Sequence, residues 1–293
     1  MTASTPLARV HTPRLAFPAL ILGNVILAMG AILVRLSDVG PVAAAFWRVT
    51  LAAPVLAMLA GSRLTGTRLS AGHWTAILFA GLFFAADLAS WHLGILYTKV
   101  ANATLFGNAS ALMLPLWALV VLRQRIGWVQ AVALALATVG GGILMGSSYE
   151  LAPANLRGDM LSLLAGVLYT AYLLVVQDAR QRMDSWSVLA LTSVIAAPPL
   201  LAAALAMGEQ VMPGDWLPVI AIALCSQVIG QGLLTYAIGW FSPLVLGLSL
   251  LVQPAVSALA GWLLFDEAMT ATDGIGALLV AVALILVRMP ARA

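Results

Sequence analysis

The sequence predicts an all-α integral membrane protein with ten transmembrane helices, arranged as two inverted five-helix repeats around a central cavity. Of its 293 residues, 62% are hydrophobic and only 9% are charged, and the mean hydropathy is +1.04. Soluble domains carry about 25% charged residues, so this composition excludes a water-soluble fold. A bilayer core of about 30 Å takes about 20 residues per helix, which allows around ten spans and leaves no room for a soluble catalytic or nucleic-acid-binding domain.

The spans follow one another as apolar runs separated by short turns or charges. The first run follows Arg9 and Arg14, but it is longer than a signal-peptide core and no small-x-small cleavage site ends it, so we expect an uncleaved helix. Helix is the expected structure throughout, because each run is apolar all round and none alternates as a barrel strand does. The predicted spans are residues 15–34, 42–61, 74–96, 101–121, 127–146, 157–177, 186–207, 216–238, 243–264 and 271–288.

The basic residues predict the orientation of these spans. With the N-terminus placed inside, ten arginines fall on the inner side and three basic residues on the outer side, which is a strong positive-inside bias. We therefore expect a multi-pass membrane protein with both termini cytoplasmic. The inner residues are Arg9, Arg14, Arg63, Arg68, Arg123, Arg125, Arg180, Arg182, Arg288 and Arg292, and the outer ones are Arg35, Lys99 and Arg157.

The chain also reads as two copies of one unit. Trp74 opens the third span and Trp216 the eighth, while Pro115 lies in the fourth and Pro254 in the ninth. Five helices per copy is an odd number, so the second copy enters the membrane upside down, an architecture of secondary transporters. We expect a cytoplasmic tail over 1–14, a first repeat over 15–147, an outer linker over 148–156 and a second repeat over 157–288.

Three short motifs, together with this layout, resemble the EamA-type branch of the drug/metabolite transporter superfamily. They are Phe46-Trp47-Arg48 in the second span, Gln253-Pro254 with Phe265-Asp266-Glu267 in the ninth, and Gly274-Ile275-Gly276-Ala277 in the tenth. The first repeat departs from the family, because Arg123-Gln124-Arg125 stands where many members carry a glutamate. The resemblance is greatest to bacterial exporters of aromatic and other neutral amino acids, and it implies export across the inner membrane without ATP hydrolysis.

Only two ionisable residues lie well inside spans. Arg48 and Asp87 each lie some 10–14 Å deep at about 1.5 Å per residue, so they are placed to pair. One hypothesis makes them a gate or a proton-linked charge near the substrate path. The other makes them a structural ion pair that holds the second and third spans together.

Polar and aromatic residues at helical spacing predict the lining of the cavity. Each such row of residues on one helix face has an alternative role outside the cavity lining. It would either form hydrogen bonds between packed helices, worth about 0.6 kcal/mol each, or simply pack against a neighbouring helix. Tyrosines three residues apart in the sixth span are expected to join it, because a buried hydroxyl needs a partner. The predicted substrate-binding residues are Asn24, Phe83, Asp87, Trp91, Asn102, Phe106, Tyr169, Tyr172, Gln227, Gln231, Ser249 and Gln253.

The remaining motifs narrow the function to transport. A single cysteine, three scattered histidines and the absence of a P-loop predict no metal, no cofactor and no ATP site. With what the resemblance implies, the predicted function is a secondary transporter that exports aromatic and other neutral amino acids or similar amphipathic metabolites across the inner membrane by alternating access. The alternatives are carriage of purines, drugs or organic cations, a channel, or an intramembrane enzyme. Its expected partners are a small-molecule substrate and the lipid bilayer, not nucleic acid, and a monomer is compatible with the sequence.

Overall fold

The computed structural model describes residues 13–66, 70–98, 103, 106–146, 153–256, 259 and 271–287. Within these ranges the chain is helical and contains no strand. Five helices are long and apolar enough to cross a membrane, and five shorter apolar helices complete a ten-helix set, which confirms the predicted fold class. The helices are α1 (Ala16–Leu36), α2 (Pro41–Ala60), α3 (Ala71–Tyr97), α4 (Ser110–Val120), α5 (Trp128–Gly146), α6 (Leu156–Ala179), α7 (Ser185–Ala206), α8 (Trp216–Ile238), α9 (Pro243–Leu250) and α10 (Ala271–Leu286).

Turn chemistry sets where several helices begin. Pro41 and Pro243 occupy the first turn of α2 and α9, where a missing N–H leaves no bond unmade. The carboxylate of Asp184 caps α7 by accepting the amides of Trp186 and Ser187, and Asp215 caps α8 in the same manner. These boundaries keep the connections short, so consecutive helices run antiparallel through the bundle.

The helices of the two halves pack crosswise. The long helix α3 lies against α6, and α8 lies against α1. Exchange of the halves converts the first contact into the second, and the same exchange maps α3–α7 onto α8–α2 and leaves the α2–α7, α4–α9 and α5–α10 pairs unchanged. Because α1 and α6 cross in opposite directions, this two-fold relation is that of inverted repeats.

Glycine permits the closest of these crossings. A Cβ added at Gly158 would lie 2.5 Å from the backbone carbon of Tyr97, and one at Gly23 would lie 3.0 Å from the carbonyl oxygen of Gly230. Both distances are shorter than a packed Cβ allows. Backbone therefore meets backbone at the α3–α6 and α1–α8 contacts, as is common between helices that pack within a bilayer.

The middle of α8 is a π-helix over Ile222–Gly230, flanked by α-helical turns. At its end the amide of Gln231 donates to the carbonyl of Ser226, five residues earlier. The wider turn changes the direction in which Gln227 and Gln231 point relative to a regular helix. Such segments are rare and are concentrated at functional sites, and this one lies beside the cavity described below.

Candidate functional site

A cavity of about 140 Å³ lies at the centre of the bundle, between α1, α2, α3, α6, α8, α9 and the start of α4. That space accommodates several waters or one small metabolite. Its wall combines charged, amide and aromatic side chains with aliphatic ones. The lining residues are Leu27, Ala28, Arg48, Phe84, Asp87, Leu88, Trp91, Gly107, Asn108, Ser110, Tyr169, Gln231, Leu250 and Gln253.

Arg48 is held in place by a chain of amide and hydroxyl groups. Its Nε donates to Oε1 of Gln227 at 2.9 Å, and Nε2 of Gln227 donates to Oγ of Ser193 at 3.1 Å. The guanidinium carbon also lies 5.8 Å from the centre of the Phe84 ring, within range of a cation–π attraction. Among the described residues, the terminal nitrogens of this guanidinium have no hydrogen-bond partner, so they are available to a ligand.

Asp87 faces the same cavity, but it is not hydrogen-bonded to any residue that the structure describes. Arg48 acts on this carboxylate electrostatically across the cavity, while the direct hydrogen bond of Arg48 goes to Gln227. The pair predicted from sequence is therefore two opposite charges that share a cavity, rather than a contact ion pair. A half-buried carboxylate that accepts no hydrogen bond from the described residues is costly, which makes it a strong site for a cationic group.

Aromatic rings form one wall of the cavity in a continuous stack. Phe84 stacks on Tyr172 with ring centroids 4.6 Å apart, and Tyr172 stacks on Tyr169 at 5.8 Å. Tyr172 is fully buried behind the wall, and its hydroxyl accepts a hydrogen bond from Nε2 of Gln231 at 3.3 Å. Trp91 closes the cavity toward the start of α4, where a Cβ at Gly107 would lie 2.9 Å from its ring.

A second amide cluster joins α1 to α9 beside the cavity. Nε2 of Gln253 donates to Oδ1 of Asn24 at 2.8 Å, and Nδ2 of Asn24 donates to Oγ of Ser249 at 3.3 Å and to the Leu20 carbonyl at 2.9 Å. Asn24 and Ser249 are both fully buried. The cluster fixes the orientation of the Gln253 amide at the cavity surface.

The structure brings most of the predicted site residues to one place. Arg48, Asp87, Trp91, Tyr169, Gln231 and Gln253 line the cavity. Asn24, Tyr172 and Gln227 lie directly behind that surface and hydrogen-bond to residues that line it, and Ser249 accepts a hydrogen bond from Asn24 one layer further back. Asn102 lies outside the described residues.

Two predicted aromatics lie away from the lining. The Phe83 ring packs on Phe79 at 6.0 Å, and its neighbour Phe84 faces the cavity in its place. Phe106 is half-buried and stands next to Gly107, which lines the cavity while the Phe106 ring does not. Leu27 and Leu250 also contribute, and nothing in the sequence separates them from the many other leucines. Within the described ranges, no three His, Cys, Asp or Glu side chains lie close enough together to bind a metal ion.

Acidic side chains join the halves at the membrane face that carries the α1–α2 connection, called here the distal face. The Glu209 carboxylate accepts the amides of Val42 and Ala43 at the start of α2, at 3.3 and 2.8 Å. The Asp38 carboxylate accepts the amides of Gly214 and Asp215 at 2.7 and 3.1 Å. These reciprocal bonds tie the α1–α2 connection to the α7–α8 connection.

On the opposite face, a basic side chain joins elements of the second half. The guanidinium of Arg180 donates through Nε to the Thr235 carbonyl at 2.9 Å and through a terminal nitrogen to the Met183 carbonyl. Nε2 of Gln177 donates to the Phe241 carbonyl at 2.6 Å. The end of α6 is thereby fixed to the end of α8.

Comparison with known proteins agrees with this architecture. The model of the EamA-like transporter family matches the chain twice, over residues 15–146 and 156–289. A crystal structure of another protein superposes with a TM-score of 0.78, covering 94% of this chain and 98% of that chain at 18% sequence identity, which is a likeness of fold. Among curated proteins, no sequence matches the chain.

Proposed function

Since the chain belongs to the EamA-like transporter family, we propose that it is a secondary transporter that exports aromatic and other neutral amino acids, or similar amphipathic metabolites. The export would cross a bacterial inner membrane by alternating access, with both chain termini cytoplasmic. The observation that carries the proposal is the cavity, in which one cation and one anion face an aromatic wall.

The charges of the cavity suit a zwitterion. Asp87 offers a carboxylate with no hydrogen bond from the described residues, and it would accept the ammonium group of an amino acid. The Nε of Arg48 donates to Gln227, and its terminal nitrogens would donate to the carboxylate of the ligand. The two formal charges sum to zero, so a ligand with no net charge leaves no charge uncompensated.

The aromatic wall suits the side chain of such a ligand. Phe84, Trp91 and Tyr169 present rings to the cavity, and an apolar or aromatic side chain gains free energy by stacking on them. The amides of Gln231 and Gln253 are fixed by Tyr172 and Asn24, so they offer oriented polar groups to the substrate. A preorganised site loses less entropy on binding.

Transport would follow from rocking of the two repeats, which we place at residues 15–147 and 157–288. The bonds of Asp38 and Glu209 close the distal face between the halves and would break when that face opens. The two halves would move against each other at the crosswise α3–α6 and α1–α8 contacts. Rigid-body movement of inverted repeats about a central site is the general mechanism of such carriers.

The test is counterflow and efflux of radiolabelled L-phenylalanine in proteoliposomes of phosphatidylethanolamine and phosphatidylglycerol. Loss of the ammonium partner in Asp87→Asn removes a charge-assisted bond of about 1.5–3 kcal/mol, so apparent affinity should fall about 10- to 100-fold. Trp91→Ala should weaken transport severalfold. The matched control is Trp128→Ala, because that ring is 69% exposed and far from the cavity lining. If Asp87→Asn, Trp91→Ala, Tyr169→Ala and Gln227→Ala all transport like the parent, the proposed site is wrong.

An organic cation is the second candidate substrate, because Asp87 lies beside the Trp91 ring, as in cation-binding sites. Arg48→Gln separates the two candidates. A zwitterion loses its carboxylate partner and its efflux falls, whereas a small monovalent organic cation such as phenyltrimethylammonium gains from the removal of a like charge. A panel that compares phenylalanine with this cation therefore assigns the substrate class.

A further inference from the structure

A second concave region lies on the lipid-facing side of the α3–α6 contact and is separate from the central cavity. This lateral groove has an apolar floor formed by Leu93 of α3 and by Met160, Leu161 and Leu164 of α6. Its end at the distal face is formed by Tyr97 and Arg157, and Met207 closes its side. The groove encloses about 480 Å³, which suits an extended hydrocarbon chain better than a compact metabolite.

Arg157 lies over an aromatic ring at one end of the groove. Its guanidinium carbon lies 4.1 Å from the centre of the Tyr97 ring, so the cation is attracted to the face of that ring. A guanidinium carries five N–H donors, and contact with a ring face leaves donors for a ligand. The nearby carboxylate of Asp159 is buried and accepts the Thr98 hydroxyl at 2.7 Å. Among the described residues, no carboxylate pairs with Arg157.

The position of the groove gives its two parts different surroundings. Tyr97 is the last residue of α3 and Arg157 is the second residue of α6, so both lie where helices leave the hydrocarbon core. Tyrosine and arginine are typical of this interface. Met160 and Leu164, which are about half exposed, lie deeper along α6 and face the acyl chains. The groove thus has a cationic end at headgroup depth and an apolar body below it.

We propose that the lateral groove is a binding site for an anionic glycerophospholipid. The phosphate would accept hydrogen bonds from the guanidinium of Arg157, and one acyl chain would lie over Leu161 and Leu164. Charge complementarity selects this occupant, because the groove ends in a cation that no described carboxylate neutralises. A lipid bound there would contact α3 of one repeat and α6 of the other, so it would stabilise the contact between the two halves.

The test measures binding of dioleoyl-phosphatidylglycerol to the purified full-length protein by native mass spectrometry in detergent. Removal of one interfacial arginine weakens attraction to an anionic lipid by a factor of about five, so the lipid concentration that half-saturates Arg157→Gln should be about fivefold higher than for the parent. Arg125→Gln is the matched control, since Arg125 is an exposed arginine in the α4–α5 connection outside the groove. Equal loss in both variants would overturn the proposal in favour of general charge attraction.

A second pair of variants tests the apolar body and does not depend on the charge. Leu164 and Val167 are 46% and 45% exposed on the same helix, but only Leu164 lines the groove. Leu164→Trp should reduce binding of phosphatidylglycerol, and Val167→Trp should leave it unchanged. Water-soluble glycerophosphoglycerol, which has no acyl chains, should not displace the lipid. Displacement by this headgroup, or an unaltered affinity in both Leu164→Trp and Arg157→Gln, would show that the groove is not a lipid site.

Discussion

The bond from Arg48 to Gln227 provides the sharpest test of how the central cavity is built. In Gln227→Leu the shape of the side chain is roughly kept, but Nε of Arg48 loses its acceptor at 2.9 Å and Oγ of Ser193 loses its donor at 3.1 Å. A hydrogen bond to a charged group contributes about 1.5–3 kcal/mol and a neutral one about 0.5–1.5 kcal/mol. Gln227 and Ser193 are both fully buried, so water does not replace the donor that Ser193 loses. We expect the free energy of unfolding to fall by about 2–4 kcal/mol.

The measurement is an SDS titration of the detergent-solubilised protein, followed by tryptophan fluorescence. A movement of Arg48 onto the free carboxylate of Asp87 would reduce the loss, so the substitution is also made in an Asp87→Asn background. There the full loss is expected. In the double variant Arg48→Met with Gln227→Leu, the free energy of unfolding should fall by less than the sum of the two single losses, because both ends of the bond are removed together. A loss below about 0.5 kcal/mol in both backgrounds would refute the assigned role of Gln227.

Two further substitutions test a contact between helices and a helix cap. Gly140→Leu should separate α5 from α10 and destabilise the protein by several kcal/mol, because a Cβ at Gly140 would lie 2.7 Å from the Gly276 carbonyl oxygen. A Cβ at Gly142 would meet no atom within 4 Å, so Gly142→Leu is the control in the same SDS titration. Asp184→Ala should reduce the free energy of unfolding by about 1–2 kcal/mol through loss of the α7 cap, and Asp184→Asn should restore most of it.

Sequence alone was sufficient for the number and order of the helices, because twenty-residue apolar runs have one stable structure in a bilayer. The sequence was less precise about which face of each helix lines the cavity. Residues four apart on an α-helix are rotated by about 40° per step, so the stripe of Phe83, Asp87 and Trp91 covers an arc of about 80°. At about 100° per residue, the cavity-lining residues Phe84, Asp87, Leu88 and Trp91 cover an arc of about 100°, and its centre lies about 50° further round the helix.

The sequence identified Gln227 and Gln231 of α8, but not which partners they contact. Gln227, Gln231 and Thr235 stand at α-helical spacing, but the π-helix between Ile222 and Gly230 turns the first two toward different partners. Gln227 reaches Arg48 and Gln231 reaches Tyr172. A π-helix is a choice of backbone hydrogen bond that tertiary contacts decide, and the apolar residues of this segment give no local signal for it.

The crosswise packing has a consequence for biosynthesis. The face of α3 that carries Asp87 packs against α6, which belongs to the second half. During synthesis, the five helices of the first half enter the membrane before α6 is made. Until then, Asp87 lies in the membrane without its native neighbours from the second half. Completion of the first half therefore cannot be an independent folding event, and the nascent protein acquires its native interior only when the late helices arrive.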